Sequence, residues 1–314
     1  QGFLRDDLEA GKPELFSQVM ANLGTGLFLE SSHRRLQVSE QFVSLAELAV
    51  TPGLPQKGEL ELAQLLRNHF AQEKDPKVHQ FTCDALVLLL GHWLESGDLE
   101  RLGALVQDLS GSPLLWVPGT KIWKEESLQK VLEALARKDR LVHLLPALYE
   151  FKGEELVKKV FPLISRMGEP AARALVHFLD GDTTQSQRRR LIDALRAIGA
   201  PAVPALRKAL ESPRWHLVRN AINTLRDLGG HPSMEDIARC LFHSDVRVRA
   251  AAAHALRDLG GGALLLDALA KVPADTQVEV AMGLGQMHHF PAVPAISELA
   301  SGRGSMAHRI EAIK

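Results

Sequence analysis

The chain is short of several things at once, and each shortage excludes a class of protein. It carries two cysteines in 314 residues, Cys83 and Cys240, far apart and each inside an apolar helical pattern. That excludes a disulfide framework and reads as two reduced core thiols in a cytoplasmic protein. Aromatic side chains make up only 5% of the sequence, whereas Leu and Ala are plentiful, as short close-packed helices require. Excess charge of either sign is missing too: the formal net charge is −1, which argues against a nucleic acid or other polyanion as the main partner. The apolar runs are all shorter than a membrane span, and no signal peptide is visible. Nowhere do apolar residues alternate with period two, so strands should be negligible and the fold all-α.

Catalytic signatures are equally scarce. There is no Gly-x-Ser-x-Gly elbow, and Gly302-Arg303-Gly304-Ser305 is too short for a phosphate loop and lacks the Lys-Ser/Thr that follows one, so it reads as a turn. Thirteen histidines are present, but a metal needs three or four convergent ligands and no His-Glu-x-x-His exists. His288-His289 is the only close His–His pair, and neighbours on a helix point about 100° apart. His79 with Cys83, and Cys240 with His243, have spacings that share a helix face, yet neither pair has further ligands beside it, and burial of both cysteines would raise their thiol pKa. No catalytic residue, metal or cofactor is expected.

What the chain does have is a period. Ile192-Asp193-Ala194-Leu195-Arg196-Ala197-Ile198-Gly199, Ile222-Asn223-Thr224-Leu225-Arg226-Asp227-Leu228-Gly229 and Ala253-His254-Ala255-Leu256-Arg257-Asp258-Leu259-Gly260 are near-copies, with Leu195 to Leu225 spanning 30 residues and Leu225 to Leu256 spanning 31. Each unit reads as two short helices. Pro201 opens the first in one unit, with Val203, Leu206 and Leu210 on its apolar face and Ser212-Pro213 after it. Val218, Ile222, Leu225 and Leu228 make the apolar stripe of the second helix, and Gly229-Gly230 stops it. A period of this length signals an array in which each unit buries its face on its neighbours.

These units resemble HEAT repeats, in particular the short bacterial type also seen in phycobilin lyases. Asp245-Val246-Arg247-Val248-Arg249-Ala250-Ala251-Ala252-Ala253-His254-Ala255-Leu256 carries the family's second-helix pattern, and Trp215-His216-Leu217-Val218-Arg219-Asn220-Ala221 is similar to a bacterial variant of it. The resemblance covers residues 168–314 and implies an α-solenoid of stacked antiparallel helix pairs, a HEAT-like superhelix. It also implies a bacterial protein acting as a non-catalytic interaction or regulatory scaffold, with a protein partner of unknown identity. A HEAT-fold hydroxylase that binds two irons through His-Glu pairs has no counterpart here, because the sequence contains no His-Glu. Two rival readings on the same fold are a nucleic-acid binder of the DNA-glycosylase type and a chromophore-lyase-like enzyme.

Residues 1–167 show helical spacing near 12–30, 36–49, 58–74, 76–95, 98–109, 126–137, 139–151 and 153–167, with irregular lengths that suggest degenerate helical repeats. A separate helical bundle is the alternative. The chain begins Gln1-Gly2-Phe3 and ends at His308-Arg309-Ile310-Glu311-Ala312-Ile313-Lys314, which matches the first part of a second helix, so a longer parent protein is expected.

The candidate site is a charged row on the second helices. With Leu225 and Leu228 facing the core, Asn223 and Asp227 point away and Arg226 lies between. Equivalent positions are Asp193 and Arg196 in the unit before, and His254, Arg257 and Asp258 in the unit after, and Arg189, one turn before Asp193, joins the candidate set. Stacking aligns them along what is usually the concave face of a HEAT array. They form either a groove for a partner or a ladder in which arginine and aspartate of adjacent units pair with each other, each exposed pair worth only about 0–1 kcal/mol. The aspartates make the field mixed, so phosphate binding would be weak. Arg188-Arg189-Arg190 is the only dense basic run of the repeats. Of the tryptophans, Trp215 is expected to plug a helix junction and Trp116 to anchor a loop.

Overall fold

The computed structural model describes residues 13–26, 31–51, 56–111, 117–229 and 233–301. Helices account for most of these residues, with no strand among them. Trp116, His231, His308, the expected turn at 302–305 and the helix expected over 308–314 lie outside the described residues. Two compact units are present, Gln1–Ala171 and Ala172–Lys314.

The first unit contains α1 (Pro13–Gly26), α2 (Ser32–Ser39), α3 (Gln41–Ala49), α4 (Gln56–Gln72), α5 (Pro76–Glu95), α6 (Leu99–Gly111), α7 (Lys121–Leu135), α8 (Lys138–Leu141) and α9 (Leu145–Glu150). Its centre is α5, against which α2, α3, α4, α6 and α7 all pack. That position follows from composition: Val78, Leu86, Leu89, Leu90, Trp93 and Leu94 are all buried, so the helix is apolar on several sides. Its start is well specified, because Pro76 needs no hydrogen-bond partner and Asp75 accepts the Lys77 N–H at 2.9 Å.

Three sequence expectations shift here. The helix near 36–49 is two helices, broken at Glu40. The one near 126–137 starts earlier, at Lys121, directly after the turn at Gly119 (φ 84°). The one near 139–151 is broken by a 3₁₀ turn, Val142–Leu144. Leu156–Val160 forms a π-helical turn in which Phe161 N–H donates to Leu156 O, and it runs into α10 (Phe161–Leu179). Pro162 offers no N–H to the regular ladder there, and a widened turn accommodates the gap. At Gly168, φ is 60°, so α10 is kinked and in effect two helices.

In the second unit, α11 (Gln185–Ile198), α13 (Trp215–Asp227), α15 (Val246–Asp258) and α17 (Ala274–Gln286) are the second helices. Neighbours among them pack side by side. The first helices are the end of α10, α12 (Val203–Ala209), α14 (Met234–Arg239), α16 (Gly262–Leu269) and α18 (Val293–Ser301). Leu195, Leu225, Leu256 and Leu284 hold the same position in successive second helices and all are 0% exposed. Thr184 and Gln187 close a reciprocal capping box at the start of α11.

Four residues after each of those leucines the backbone turns left-handed, at Gly199 (φ 76°), Gly229 (φ 71°), Gly260 (φ 82°) and His288 (φ 52°). The first three take the conformation without a Cβ clash; His288 pays for it with strain. Gly262 has a different reason to be glycine, since a Cβ there would sit 2.7 Å from His289 Nδ1.

Candidate interaction surface

The second helices of Ala172–Lys314 leave one stripe in solvent. It is Arg189, Asp193 and Arg196 on α11, then Asn223, Arg226 and Asp227 on α13, then His254, Arg257 and Asp258 on α15, all half-buried or exposed. The structure brings most of them together. Arg196 donates to Asp193 at 2.9 Å and to Asp227 of the next helix. Arg226 grips Asp227 at 2.9 Å and reaches Asp258 of the helix after at 3.7 Å. Arg257 holds Asp258 at 2.8 Å and donates to Gln286 on α17 at 2.8 Å. His254 and Glu279 meet at 3.1 Å beside them. The result is one line of alternating charge across four helices. Burial alone would raise the Asp227 carboxyl, but hydrogen bonds from Arg226 and Arg196 outweigh it and hold the carboxyl below its ordinary range.

Arg189 stands apart from this line, exposed and seven residues before Arg196. A second feature lies at the start of α13. Trp215 is half-buried, with the Arg219 guanidinium 5.2 Å and the Arg247 guanidinium 3.3 Å from its ring centre. This differs from the expected plug: the ring lies under two arginines. Asp245 caps α15 and binds Arg247 at 2.6 Å, which holds the aspartate down to about 2 and fixes the guanidinium in place.

Arg249 was missed as a structural residue. It is 6% exposed and ties two repeats together, donating to Thr276 Oγ1 at 2.6 Å, to His243 O at 2.8 Å and to Asp275. Its signal was there to read, because it sits one residue after Val248 in the buried stripe, where a charge requires a partner. On the first helices, Arg207 and Arg239 share Asp236 beside a groove of about 460 Å³ that also includes Phe242.

The Cys–His spacings resolve differently from each other. Cys83 Sγ and His79 Nδ1 are 3.3 Å apart in the first unit, so the spacing that shares a helix face brings the two side chains into contact. Burial pushes the thiol up to about 12 and the imidazole down to about 3, so the pair is neutral. Cys240 instead donates to Asp236 O, while His243 Nδ1 accepts the Asp245 N–H. Both cysteines are free and buried. Among the described residues no group of three or more His, Cys, Asp or Glu side chains converges as a metal would require. No described helix is long and apolar enough to cross a membrane.

Helix pairs stacked at a constant period define an α-solenoid, a repeat protein. Within it, residues 172–257 match a family model described as HEAT repeats. No curated protein matches the chain. Among solved structures, importin beta in an ammonium sulfate condition is 13% identical, with 98% of this chain and 41% of that one covered at a TM-score of 0.40. Kap121p is 13% identical over 95% of this chain and 37% of its own, TM-score 0.34. Human deoxyhypusine hydroxylase in complex with glycerol is 16% identical over 81% of this chain and 98% of its own, TM-score 0.34. The chain thus spans well under half of the two longer proteins.

Proposed function

We propose that the protein is a non-catalytic interaction scaffold and that the second-helix stripe, from Arg189 to Asp258, receives a protein partner. The observation that supports this is the continuous polar line from Asp193 to Gln286, built from side chains of four separate helices. A row this long and shallow suits an extended segment or a domain face better than a small substrate, which needs a concave, mostly apolar pocket. Aspartates at 193, 227 and 258 would meet phosphates at every helix, so the line favours protein over nucleic acid. Exposed ion pairs are cheap to break, and neutral replacements avoid setting new charges beside Asp227 and Asp258. Arg226→Gln with Arg257→Gln should therefore keep the fold and weaken the captured partner at least tenfold, measured as melting temperature and affinity on one preparation. An unchanged affinity would remove the stripe from the binding surface.

A further inference from the structure

Positive charge in the second unit is not spread evenly along the second helices. In the row just described each arginine meets a carboxylate or a glutamine. One to two turns toward the helix starts the balance changes. Arg189 and Arg219 occupy equivalent positions on α11 and α13, 30 residues apart, and neither has a carboxylate within ion-pair distance among the described residues. The first turns of α11, α13 and α15 contain no acidic residue. Arg189 and Arg219 both stand in the second turn of their helices. Beside them Arg247 is held rigid by Asp245 and by the Trp215 ring. Tryptophan and arginine, preorganised and partly exposed, are the side chains that most often dominate a binding interface.

We propose that the partner of this surface presents an acidic segment, and that its carboxylates lie across the helix starts on Arg189, Arg219 and the Trp215–Arg247 stack. This deepens the scaffold reading and rests on it. The spacing suits an extended chain. Packed helices stand about 8–10 Å apart, and a polyproline II segment advances about 3.1 Å per residue with three residues per turn, so every third residue of such a segment faces the next helix. The neutral line of Arg–Asp pairs alongside then sets orientation, and a uniform polyanion such as nucleic acid is disfavoured where it crosses Asp193, Asp227 and Asp258.

The test uses the full chain and three labelled probes: a hexadecamer of glutamate, a hexadecamer of lysine and a 16-nucleotide oligothymidylate, followed by fluorescence anisotropy at low and moderate salt. Wild type should bind the glutamate peptide, more weakly as salt rises, and leave the lysine peptide alone. Arg189→Gln with Arg219→Gln should weaken that binding at least tenfold. Arg207→Gln, on the first-helix face, should change it less than twofold, and Trp215→Leu should abolish any change in tryptophan emission on binding. No binding of the glutamate peptide, oligothymidylate bound as tightly, or an equal loss in Arg207→Gln would each overturn the proposal. Should the glutamate peptide fail to bind while Arg226→Gln with Arg257→Gln still weakens the captured partner, the acidic segment falls and the scaffold reading stands. Should neither pair of variants affect that partner, the whole second-helix face falls.

Discussion

The two units solve the same problem, covering helix ends and pinning neighbours, in opposite places. In Gln1–Ala171 the polar work is done inside. Glu73 is 3% exposed and accepts hydrogen bonds from Arg35 at 3.0 Å, His69 at 3.1 Å, and the N–H groups of Lys74 and Asp75 at 2.8 Å. His69 also meets Thr82 at 2.6 Å. Lys124, 0% exposed, donates to Ala71 O at 2.6 Å and so satisfies the end of α4. Glu59 takes hydrogen bonds from Trp93 at 2.6 Å and Arg101 at 2.7 Å. In Ala172–Lys314 the core is mostly leucine, valine and alanine, with Arg249 as the main buried charge, and most ion pairs lie on the surface in register. A strict period lets neighbouring helices present the same side chain at the same height, so exposed pairs can repeat. Without a period each junction is different, and each is closed by its own buried network, which is worth more and tolerates less.

The sharpest way to break this contrast is at Glu73. Glu73→Ala removes the acceptor shared by buried His69, half-buried Arg35 and two N–H groups, a loss of about 3–5 kcal/mol for a broken buried pair. A melting temperature within a degree or two of wild type would show the network to be ornamental. The same carboxylate predicts acid sensitivity. Burial would raise its pKa, but hydrogen bonds from His69, Arg35 and the two backbone N–H groups hold it well below the ordinary 4.5. Its stabilising contribution is therefore full above about pH 4.5 and fades as pH falls below that value, so Glu73→Gln should flatten the acid limb of a melting profile.

Leu225→Ala tests the other unit. Its loss should be about 2–5 kcal/mol, from transfer energy plus the cavity left between repeats. Stability unchanged by that substitution would mean that the repeat does not pack on this leucine.

Lys124 should show a pH trend of the same sign in an alkaline window. Burial lowers its pKa from 10.5 to about 8, so the folded state binds fewer protons than the unfolded chain between those values. Stability should then rise with pH across that window, by on the order of 3 kcal/mol at most, and the rise should shrink in Lys124→Met. Equal slopes for the two proteins would place the lysine in water.

The smallest effect is expected at His288. Glycine at this left-handed position, as in three preceding units, should stabilise the last described pair by roughly 1 kcal/mol, read as a slightly higher melting temperature for His288→Gly. A destabilised variant would assign the histidine side chain a contact that outweighs its backbone strain.

Much of the second unit was legible because a repeat states its rule several times. The leucines at 195, 225 and 256, the glycines four residues later and the proline-led first helices all follow from spacing and backbone chemistry. The aligned row from Asp193 to Asp258 was legible for the same reason, as positions on one face, while Arg189 stands apart from it. The helix break at Glu40 was not legible, since no proline or glycine marks it, whereas Pro146, which lacks an N–H for the regular ladder, follows the break at Val142–Leu144. The Trp215 stack was misread because its partner Arg247 belongs to the next repeat.

By itself, then, the amino-acid order determined helix, period and core stripe, all of which depend on neighbours three to seven residues away on one turn of backbone. Tertiary structure decided who meets whom. Arg35 finds Glu73 across 38 residues, Lys124 finds Ala71 across 53, and Arg196 finds Asp227 across 31. Such pairs have no local signature, because a long flexible side chain can reach several partners. Only the packed distance between two helices leaves it one.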